Sequence, residues 1–451
     1  VEALNHKYPT PGCERFFLLH RPRVWNATEQ CWMGRERKRG KLAELNALLR
    51  GHGAECFMRV VGDVLKLGSV RYVITLDTDT LLPRDVAHKF VGAMQHPLNR
   101  PRFDARTGRI ISGYAILQPR VGISLPAVSR SGYARLFATD AGIDPYTQAV
   151  SDVYQDLFLS GSFIGKGIYA VDAFEQALDG RFADNRVLSH DLIEGCYAHS
   201  GLLSDVQLFE GYPARYSADA KRRHRWIRGD WQLLPWLLSP RRNDTNGLVQ
   251  SPLSALSRWK IFDNLRRSLE PAALLTVLMW GWLASASPLW WTLAVLGLLL
   301  VRPLLDTLLE LLHKTAEVAF TEHLVAALRT SGTYFVRTLL SLAWLPFEAS
   351  YSLDAIARTV WRLAVSKRRL LQWNPSQAEE RSSADTLQAV YREQWLQPAL
   401  ALTLAGLLAL QPATLLVASP ILALWLLGPA LAWWLSRAQV RSVFAPSAGD
   451  L

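Results

Sequence analysis

Two long stretches that carry almost no charged side chain constrain this chain of 451 residues more than any other feature. The first stretch covers residues 271–305 and is interrupted by SASP, and the second covers about 396–435 and turns at Gln411 and Pro412. A helix needs roughly 20 apolar residues to cross a bilayer core, so each stretch has room for two helices. The sequence therefore predicts transmembrane hairpins at about 271–305 and 396–435, with about four transmembrane helices in total.

The placement of basic residues favours a membrane region over two buried helical hairpins in a soluble protein, which is the alternative interpretation. Arg266 and Arg267 precede the first hairpin, Arg302 follows its second helix, and SKRRL and SRAQVR flank the second hairpin. Neither short turn carries Lys or Arg. Because basic residues collect on the cytoplasmic side of membrane proteins, this pattern predicts that the soluble half and both chain ends are cytoplasmic.

The chain changes character near residue 260. Before it, short apolar runs bounded by Gly, Pro, Asn and Asp alternate with amphipathic stretches, which is typical of an α/β domain. We therefore expect a cytoplasmic domain over 1–260 and a membrane region over 261–451. Between the hairpins, residues 306–372 mix apolar and basic residues at helical spacing. This mixture predicts amphipathic helices on the inner leaflet, and the alternative is a helix packed on the soluble domain.

Composition narrows the class of partner. The formal net charge of +11 by itself allows nucleic acid, an anionic membrane surface or a phosphorylated substrate. The basic and aromatic residues are not interleaved as in an RNA-binding sheet, so we expect no nucleic-acid partner. The 4 cysteines include no CxxC pair, which indicates neither a zinc site nor a redox motif. The opening VEALNHKYPT lacks an initiator Met and a signal peptide, as expected of a segment cut from a longer protein.

A pair of aspartates follows the most strand-like stretch of the N-terminal half. The apolar run VRYVI leads into TLDTDT, which places Asp77 and Asp79 one residue apart at the end of a predicted strand. Alternate side chains of an extended chain lie on one face, so both carboxylates can reach one site. Their hard oxygens suit Mg²⁺ or Mn²⁺, cations that hold a diphosphate. The alternative is an ordinary acidic turn after a strand.

Two further segments carry side chains suited to anion binding or proton transfer. RKRGKL places Lys41 and a basic cluster at the start of a predicted helix, which suits a diphosphate, although a plain helix is the alternative. SHDLIEG contains Asp191, a carboxylate separate from the aspartate pair. An inverting transfer needs such a group to deprotonate the attacking hydroxyl, and a helix N-cap is the alternative role for Asp191.

A third segment, RRHRWIRGDW, repeats arginine at every third position. Arg222, Arg225 and Arg228 lie along one side of a predicted helix, and Trp226 follows Arg225. Guanidinium groups in this spacing suit a diphosphate leaving group, and an indole suits the face of a sugar ring. An amphipathic helix that approaches the membrane is the alternative.

Taken in chain order, these motifs resemble the glycosyltransferase region of cyclic β-1,2-glucan synthases, which are membrane-embedded inverting enzymes with a GT-A fold. The resemblance covers about residues 15–440 and rests on RPRVWNATEQCWMGRERKRGKL, YVITLDTDTLLPRD, GSFIGKGIY, LSHDLIEG and RRHRWIRGDWQLLPW. It implies a GT-A-like α/β nucleotide-sugar transferase domain, truncated at its N-terminus. It further implies an α-helical membrane region and a multi-pass location in the bacterial inner membrane.

The same resemblance implies a reaction. In that family this region transfers glucose from UDP-glucose to the 2-hydroxyl of a growing glucan at the cytoplasmic face, and cyclising and phosphorylase-like domains follow further on. It implies that Asp77 and Asp79 hold Mg²⁺ or Mn²⁺ and that Asp191 activates the acceptor hydroxyl. The donor-binding positions are Lys41, Arg222, Arg225 and Trp226. A synthase that forms β-1,3 or β-1,4 bonds and an inactive membrane scaffold for glucan assembly are the alternatives.

Overall fold

The structure is a computed structural model that describes residues 1–11, 14–138, 149–238, 253–312, 319–373, 380 and 385–438. The strands of the described residues are β1 (Leu18–His20), β2 (Val24–Asn26), β3 (Cys31–Met33), β4 (Arg59–Val61), β5 (Tyr72–Thr75), β6 (Arg102–Asp104), β7 (Arg109–Ser112), β8 (Ile116–Ile123), β9 (Gly167–Ala170) and β10 (Ser200–Glu210).

The helices of the N-terminal part are α1 (Glu2–Lys7), α2 (Arg37–Leu49), α3 (Val86–Gln95), α4 (Leu125–Val128), α5 (Gly132–Phe137), α6 (Ala149–Phe158), α7 (Val171–Leu178), α8 (Asp191–Ala198), α9 (Tyr216–Trp231) and α10 (Leu234–Leu238). Those of the C-terminal part are α11 (Ala255–Leu283), α12 (Pro288–Leu312), α13 (Phe320–Trp361), α14 (Leu387–Glu393), α15 (Leu396–Leu408) and α16 (Pro412–Leu435). The predicted α/β content of the N-terminal half is thereby confirmed, and its assignment to the GT-A fold stays a prediction.

A mixed four-stranded sheet organises the N-terminal part, with the strand order β10-β8-β9-β5. Strand β10 is parallel to β8, and β9 is antiparallel to both of its neighbours. The strand predicted from VRYVI is β5, whose last residue Thr75 pairs with Gly167, the first residue of β9. The carboxyl end of β5 therefore lies beside the amino end of β9.

The sheet is covered by apolar side chains on both faces, because its central strands are apolar at consecutive positions. Ile116 and Tyr169 face one core with α7, whereas Leu117 and Ile168 face a second core with α3. Each of these four side chains is at most 2% exposed. Burial of a side chain of this size stabilises the folded state by about 1.5–3 kcal/mol, so the two cores fix the position of the sheet edge.

The C-terminal part is a bundle of apolar helices in which buried tryptophans find hydrogen-bond partners. Trp282 of α11 donates its indole N–H to Thr292 of α12 at 2.9 Å. Trp425 of α16 donates to the carbonyl of Leu342 in α13 at 3.0 Å. A buried indole N–H without a partner costs free energy, so these bonds help to set the positions of neighbouring helices.

The segment 306–372, which we predicted to be amphipathic and interfacial, contributes to the interior of this bundle. It comprises the end of α12, the 42-residue helix α13 and a π-helical turn over 362–366. Leu342 and Leu345 in the middle of α13 belong to the same buried cluster as Leu278 of α11 and Leu404 of α15. The middle of this segment is therefore a packed core element rather than a helix lying free on a surface.

Two helices among the described residues are long and apolar enough to cross a membrane, and they are α12 and α16. Both lie in the predicted hairpins, whereas the other two predicted spans form the end of α11 and the shorter apolar helix α15. Only 11% of the residues in the most apolar stretch of α12 are buried, so this helix presents apolar side chains on the outside of the bundle. This exposure suits a protein associated with a membrane, and the number of spans stays a prediction.

Polar side chains fasten the N-terminal part to the bundle. Asp219 of α9 accepts hydrogen bonds from Arg222 at 2.6 Å, Arg223 at 2.8 Å and the Tyr133 hydroxyl at 2.7 Å. Arg223 also pairs with Glu348 of α13 at 3.0 Å. Burial raises the pKa of Asp219, but Arg222 and Arg223 outweigh burial and lower it to about 2.

A second polar contact joins α11 to the loop that precedes β9. The buried Lys260 donates hydrogen bonds to the carbonyl oxygens of Ser160 at 2.9 Å and Gly161 at 2.7 Å. Burial lowers the pKa of this lysine to about 8. The first helix of the bundle is thus bonded directly to the backbone of the α/β part.

We expect Asp219→Asn to lower the free energy of unfolding by about 3 kcal/mol, because the substitution leaves the buried Arg222 without its carboxylate and removes one of the two carboxylates that pair with Arg223. The thermal midpoint of the detergent-purified protein measures the loss. The exposed Asp172→Asn variant is the matched control, and its change should stay within about 0.5 kcal/mol.

The same pair of variants has an expected pH dependence. The folded-state pKa of Asp219 is depressed, so its stabilisation is present above the unfolded-state value of 3.8 and is lost as the pH falls towards about 2. The midpoints of wild type and Asp219→Asn should therefore converge across this interval. Equal midpoints at pH 7 would contradict the role of this network.

Candidate functional site

Charged side chains from distant parts of the chain meet at one edge of the four-stranded sheet. Strand β5 ends two residues before Asp77, β10 ends at Glu210, and β9 begins just after Lys166. Because β9 runs antiparallel to its neighbours, its amino end lies at the edge where β5 and β10 end. This sheet topology brings the predicted Asp77 together with two residues that sequence reasoning missed.

Asp77 lies between two ammonium groups. Lys38 of α2 donates to its Oδ1 at 2.7 Å, and Lys166 Nζ lies 3.3 Å from its Oδ2. The side chain of Asp77 is 39% exposed, so solvent reaches the carboxylate. Burial raises the pKa of Asp77, but Lys38 and Lys166 outweigh it and lower the pKa. Asp77 is therefore held as a carboxylate with positive charge on both sides.

Lys166 continues this charge chain to the end of β10. Its Nζ lies 2.7 Å from Glu210 Oε1, and the Thr80 hydroxyl donates to the same oxygen at 2.7 Å. The Thr80 hydroxyl also accepts a hydrogen bond from the backbone N–H of Asp77 at 3.2 Å. Glu210 is only 4% exposed, so Lys166 and Thr80 satisfy a carboxylate that burial would otherwise destabilise. These bonds fix the turn that carries the aspartate pair.

The other predicted residues of this edge take different positions. Asp79 is exposed, so its carboxylate is open to solvent. Lys41 is exposed as a whole residue, but its ammonium is partly desolvated. Desolvation, and then the positive charge of Lys38, lower the pKa of Lys41, and the negative charge of Asp77 acts in the opposite direction. Lys38, one helical turn before Lys41, makes the direct contact with Asp77. Helical spacing predicts that these two lysines share a face, and that signal was sufficient to name Lys38 as well.

The predicted base Asp191 begins α8 and lies against the backbone of Gly165. A Cβ atom on Gly165 would come within 2.6 Å of Asp191 Oδ1, and the φ of +85° at Gly165 also favours glycine. Lys38 donates to the carbonyl of Gly165 at 2.9 Å, so one residue separates the base from the Asp77 cluster. The structure therefore connects the two predicted acidic centres through one glycine, which Asp191 approaches directly and Asp77 reaches through Lys38.

Two buried ionisable residues lie near Asp191 in the chain, His190 directly before it and Glu194 three residues after it. His190 Nδ1 lies 2.9 Å from Glu194 Oε1 and 3.5 Å from Asp191 Oδ1. His190, Asp191 and Glu194 each have one nitrogen or oxygen atom of a kind that can bind a metal ion, and these three atoms lie within 4.8 Å of one another. The sequence offered a signal in the spacing of HDLIE, because positions i and i+4 face each other on a helix.

Arg222 and Arg225 of the arginine-rich helix α9 are both buried and contact different partners. Arg222 is buried, pairs with Asp219 at 2.6 Å, and stacks between the rings of Tyr212 and Trp226 at 4.9 and 4.7 Å. In the structure as it stands, the predicted diphosphate contact of Arg222 is taken by a carboxylate. Its stacking instead holds the half-buried Trp226 in place, and Trp226 stays a predicted sugar-binding residue.

Arg225 faces a segment that the sequence reasoning had not connected to the site. Its guanidinium lies 5.8 Å from the ring centre of Trp373, and that of Arg37 from α2 lies 5.7 Å from the same ring. Arg37 also donates to the carbonyl of Leu371 at 2.6 Å. The segment after the π-helical turn therefore bridges α2 and α9, the two basic helices of the predicted site.

The carboxylate oxygens at this edge of the sheet have the chemistry of a divalent-cation site. Asp77 and Asp79 supply hard carboxylate oxygens, and Asp79 is exposed. Both oxygens of Asp77 have a lysine as neighbour in this structure. A cation that binds Asp77 therefore competes with Lys38 and Lys166, and a diphosphate bound beside the cation offers both lysines new acceptors.

The chain is similar over nearly all of its length to a region of a much longer glucan synthase. That relative is the curated cyclic beta-(1,2)-glucan synthase NdvB of Rhizobium meliloti (strain 1021), with 41% identity over 441 residues, or 97% of this chain. The chain spans 15% of the length of that relative. The predicted resemblance to a region of a cyclic β-1,2-glucan synthase is thereby confirmed. No protein-family model matches the chain.

We expect Gly165→Ala to destabilise the protein more than Gly180→Ala does. Both glycines have positive φ, +85° and +68°, so alanine costs about 1 kcal/mol of backbone strain at either position. Only at Gly165 does the new methyl group collide with the carboxylate of Asp191, which adds about 1–3 kcal/mol. Thermal midpoints measure the difference, and equal losses would contradict the close approach of Asp191 to Gly165.

Proposed function

We propose that this chain is the glycosyltransferase region of a β-1,2-glucan synthase, and that it transfers glucose from UDP-glucose to the 2-hydroxyl of a growing glucan. The observation that best supports this proposal is the approach of Asp191 to Gly165. The carbonyl of Gly165 accepts a hydrogen bond from Lys38, which also donates to Asp77. An inverting transfer needs a base and a diphosphate site on either side of one sugar carbon. The similarity to NdvB supports the choice of linkage.

In the proposed reaction the acceptor 2-hydroxyl oxygen attacks C1 of the donor glucose. A new C1–O bond forms, the bond from C1 to the diphosphate breaks, and UDP leaves with the bonding electrons. The proton of the acceptor hydroxyl passes to Asp191, whose side chain is 28% exposed and therefore accessible from the cleft. Attack and departure on opposite faces of C1 invert its configuration.

The leaving diphosphate gathers negative charge, and the sheet edge supplies positive charge to stabilise it. Lys38 and Lys166 contact Asp77, and Lys41 lies close enough for its charge to act on the same group. Asp77 and Asp79 would hold Mg²⁺ or Mn²⁺, and such a cation supplies further charge to the diphosphate. Arg225 and Trp226 of α9 are proposed to bind the donor, with Trp226 against the sugar face.

We place this reaction at the cytoplasmic face of the bacterial inner membrane. The outward apolar face of α12 and the basic residues that flank the predicted hairpins support a multi-pass membrane protein. The chain covers 15% of NdvB, which supports a larger protein with downstream cyclising and phosphorylase-like domains as fusion partners.

The decisive experiment supplies labelled UDP-glucose and Mn²⁺ to membranes that contain the chain within its full-length protein. Methylation analysis of the labelled glucan then identifies the linkage, and β-1,2 bonds support the proposal. A product with β-1,3 or β-1,4 bonds would assign a different synthase. No labelled glucan from the intact protein would favour a scaffold without catalytic activity.

We expect Asp191→Asn to abolish glucan synthesis and to leave UDP binding nearly intact, because the amide keeps the shape of the side chain but cannot accept the proton. The loss in turnover should be at least about 100-fold, the usual lower range for a general base. Asp172→Asn at the opposite end of β9 is the matched control and should keep full turnover. Full activity of Asp191→Asn would exclude Asp191 as the base.

For Asp79→Ala we expect a loss of cation-dependent UDP binding, because one of two carboxylate ligands is removed. Titration of UDP with and without Mn²⁺ measures the difference between the two affinities. The exposed Asp205→Ala variant serves as a control for the removal of a surface charge. An Asp79→Ala protein with the same Mn²⁺ effect as wild type would refute the ligand role.

A further inference from the structure

Two buried ionisable side chains lie behind Asp191 and have no part in the mechanism so far. His190 precedes Asp191 and is 4% exposed, and Glu194 lies one turn further along α8 and is 2% exposed. The imidazole Nδ1 lies between the two carboxylates, 2.9 Å from Glu194 and 3.5 Å from Asp191. The imidazole of His190 therefore contacts both the proposed base Asp191 and the buried carboxylate of Glu194.

The charges around this group favour a protonated imidazole. Burial lowers the pKa of His190, but Glu194 and Asp191 outweigh burial and raise it. The groups that face the trio from other elements are Lys38 of α2, Tyr169 of β9 and Glu175 of α7. Among these only Lys38 carries positive charge, so the imidazolium is the nearest positive group to two carboxylates.

The hydrogen bonding of the trio is incomplete, unlike that of an ordinary packed core. His190 Nδ1, Asp191 Oδ1 and Glu194 Oε2 are buried and have no hydrogen-bond partner among the described residues, so the imidazole meets the two carboxylates at ion-pair distances only. Two carboxylates this close repel each other unless positive charge lies between them. An unsatisfied buried polar atom is costly, and such arrangements occur where chemistry requires them.

We propose that His190, held by its ion pair with Glu194, is a positioning residue that keeps the Asp191 carboxylate aimed at the acceptor hydroxyl, an inference that rests on the proposed role of Asp191. The acceptor proton moves to Asp191 as the new glycosidic bond forms and UDP departs. His190 and Glu194 keep their own protons during this step. Asp191 then loses its proton to solvent and is ready for the next acceptor.

The test compares His190→Asn with His199→Asn in the full-length synthase, with kcat and KM for UDP-glucose measured from pH 5 to 9. His190→Asn should lower kcat about tenfold with little change in KM, because the Asp191 carboxylate is no longer held in place while the donor site is untouched.

His199 is a matched control at the end of the same helix. Its Nδ1 contacts the Gly113 carbonyl, it stacks on Tyr114, and its φ of 51° is one that asparagine tolerates. His199→Asn loses these structural contacts and should leave kcat near the wild-type value. A His190→Asn variant with wild-type kcat, or one whose KM rises as much as its kcat falls, would overturn the proposal.

Glu194→Gln keeps the size of the anchor and tests the same pair if His190→Asn does not fold. Alone it should lower kcat severalfold, and when combined with His190→Asn it should add little, because residues that act as one unit are not additive. Wild-type turnover in Glu194→Gln, or independent losses that multiply in the double variant, would overturn the proposal. Glucan synthesis by Asp191→Asn would instead contradict the proposed base, so the two failures are distinguishable.

Discussion

The carboxylate of Asp77 lies partly buried at a sheet edge, and the positive charge that it requires brings the site together. Lys38 reaches it from α2 and Lys166 from the loop before β9. Lys38 also bonds the Gly165 carbonyl, and Gly165 is the residue against which Asp191 lies. One ionic cluster therefore fixes the position of Asp77 relative to Gly165, the residue that Asp191 approaches.

The sequence predicted those parts of this cluster whose signals are local. A strand followed by alternating aspartates identified Asp77, which lies in the cluster, whereas Asp79 is exposed and stays a predicted ligand. Glu210 was missed because its partner Thr80 is 130 residues away along the chain, and only the sheet topology brings them together. Lys41 was named where Lys38 makes the contact, because helical spacing fixes a shared face but not which side chain reaches the acid.

The helical part shows a different limit of sequence reasoning. Helix α13 mixes apolar and basic residues, and such a mixture is the same for a helix on a leaflet as for one with a buried middle and solvated ends. The structure distinguishes these cases at Leu342 and Leu345, which pack with residues of α11 and α15. Arg222 shows the same limit of sequence reasoning. Its spacing placed it on a helix, but only the structure shows that its guanidinium is buried and paired with Asp219.

Lys260 gives the loop before β9 a mechanical connection to the bundle. The loop is bonded to α11 at Ser160 and Gly161, and at its other end Lys166 is paired with Asp77 and Glu210. The short segment 161–166 is thus bonded to the helical bundle at one end and to the ionic cluster at the other. Any shift of α11 relative to the sheet would therefore be transmitted along this backbone to Gly165 and Lys166.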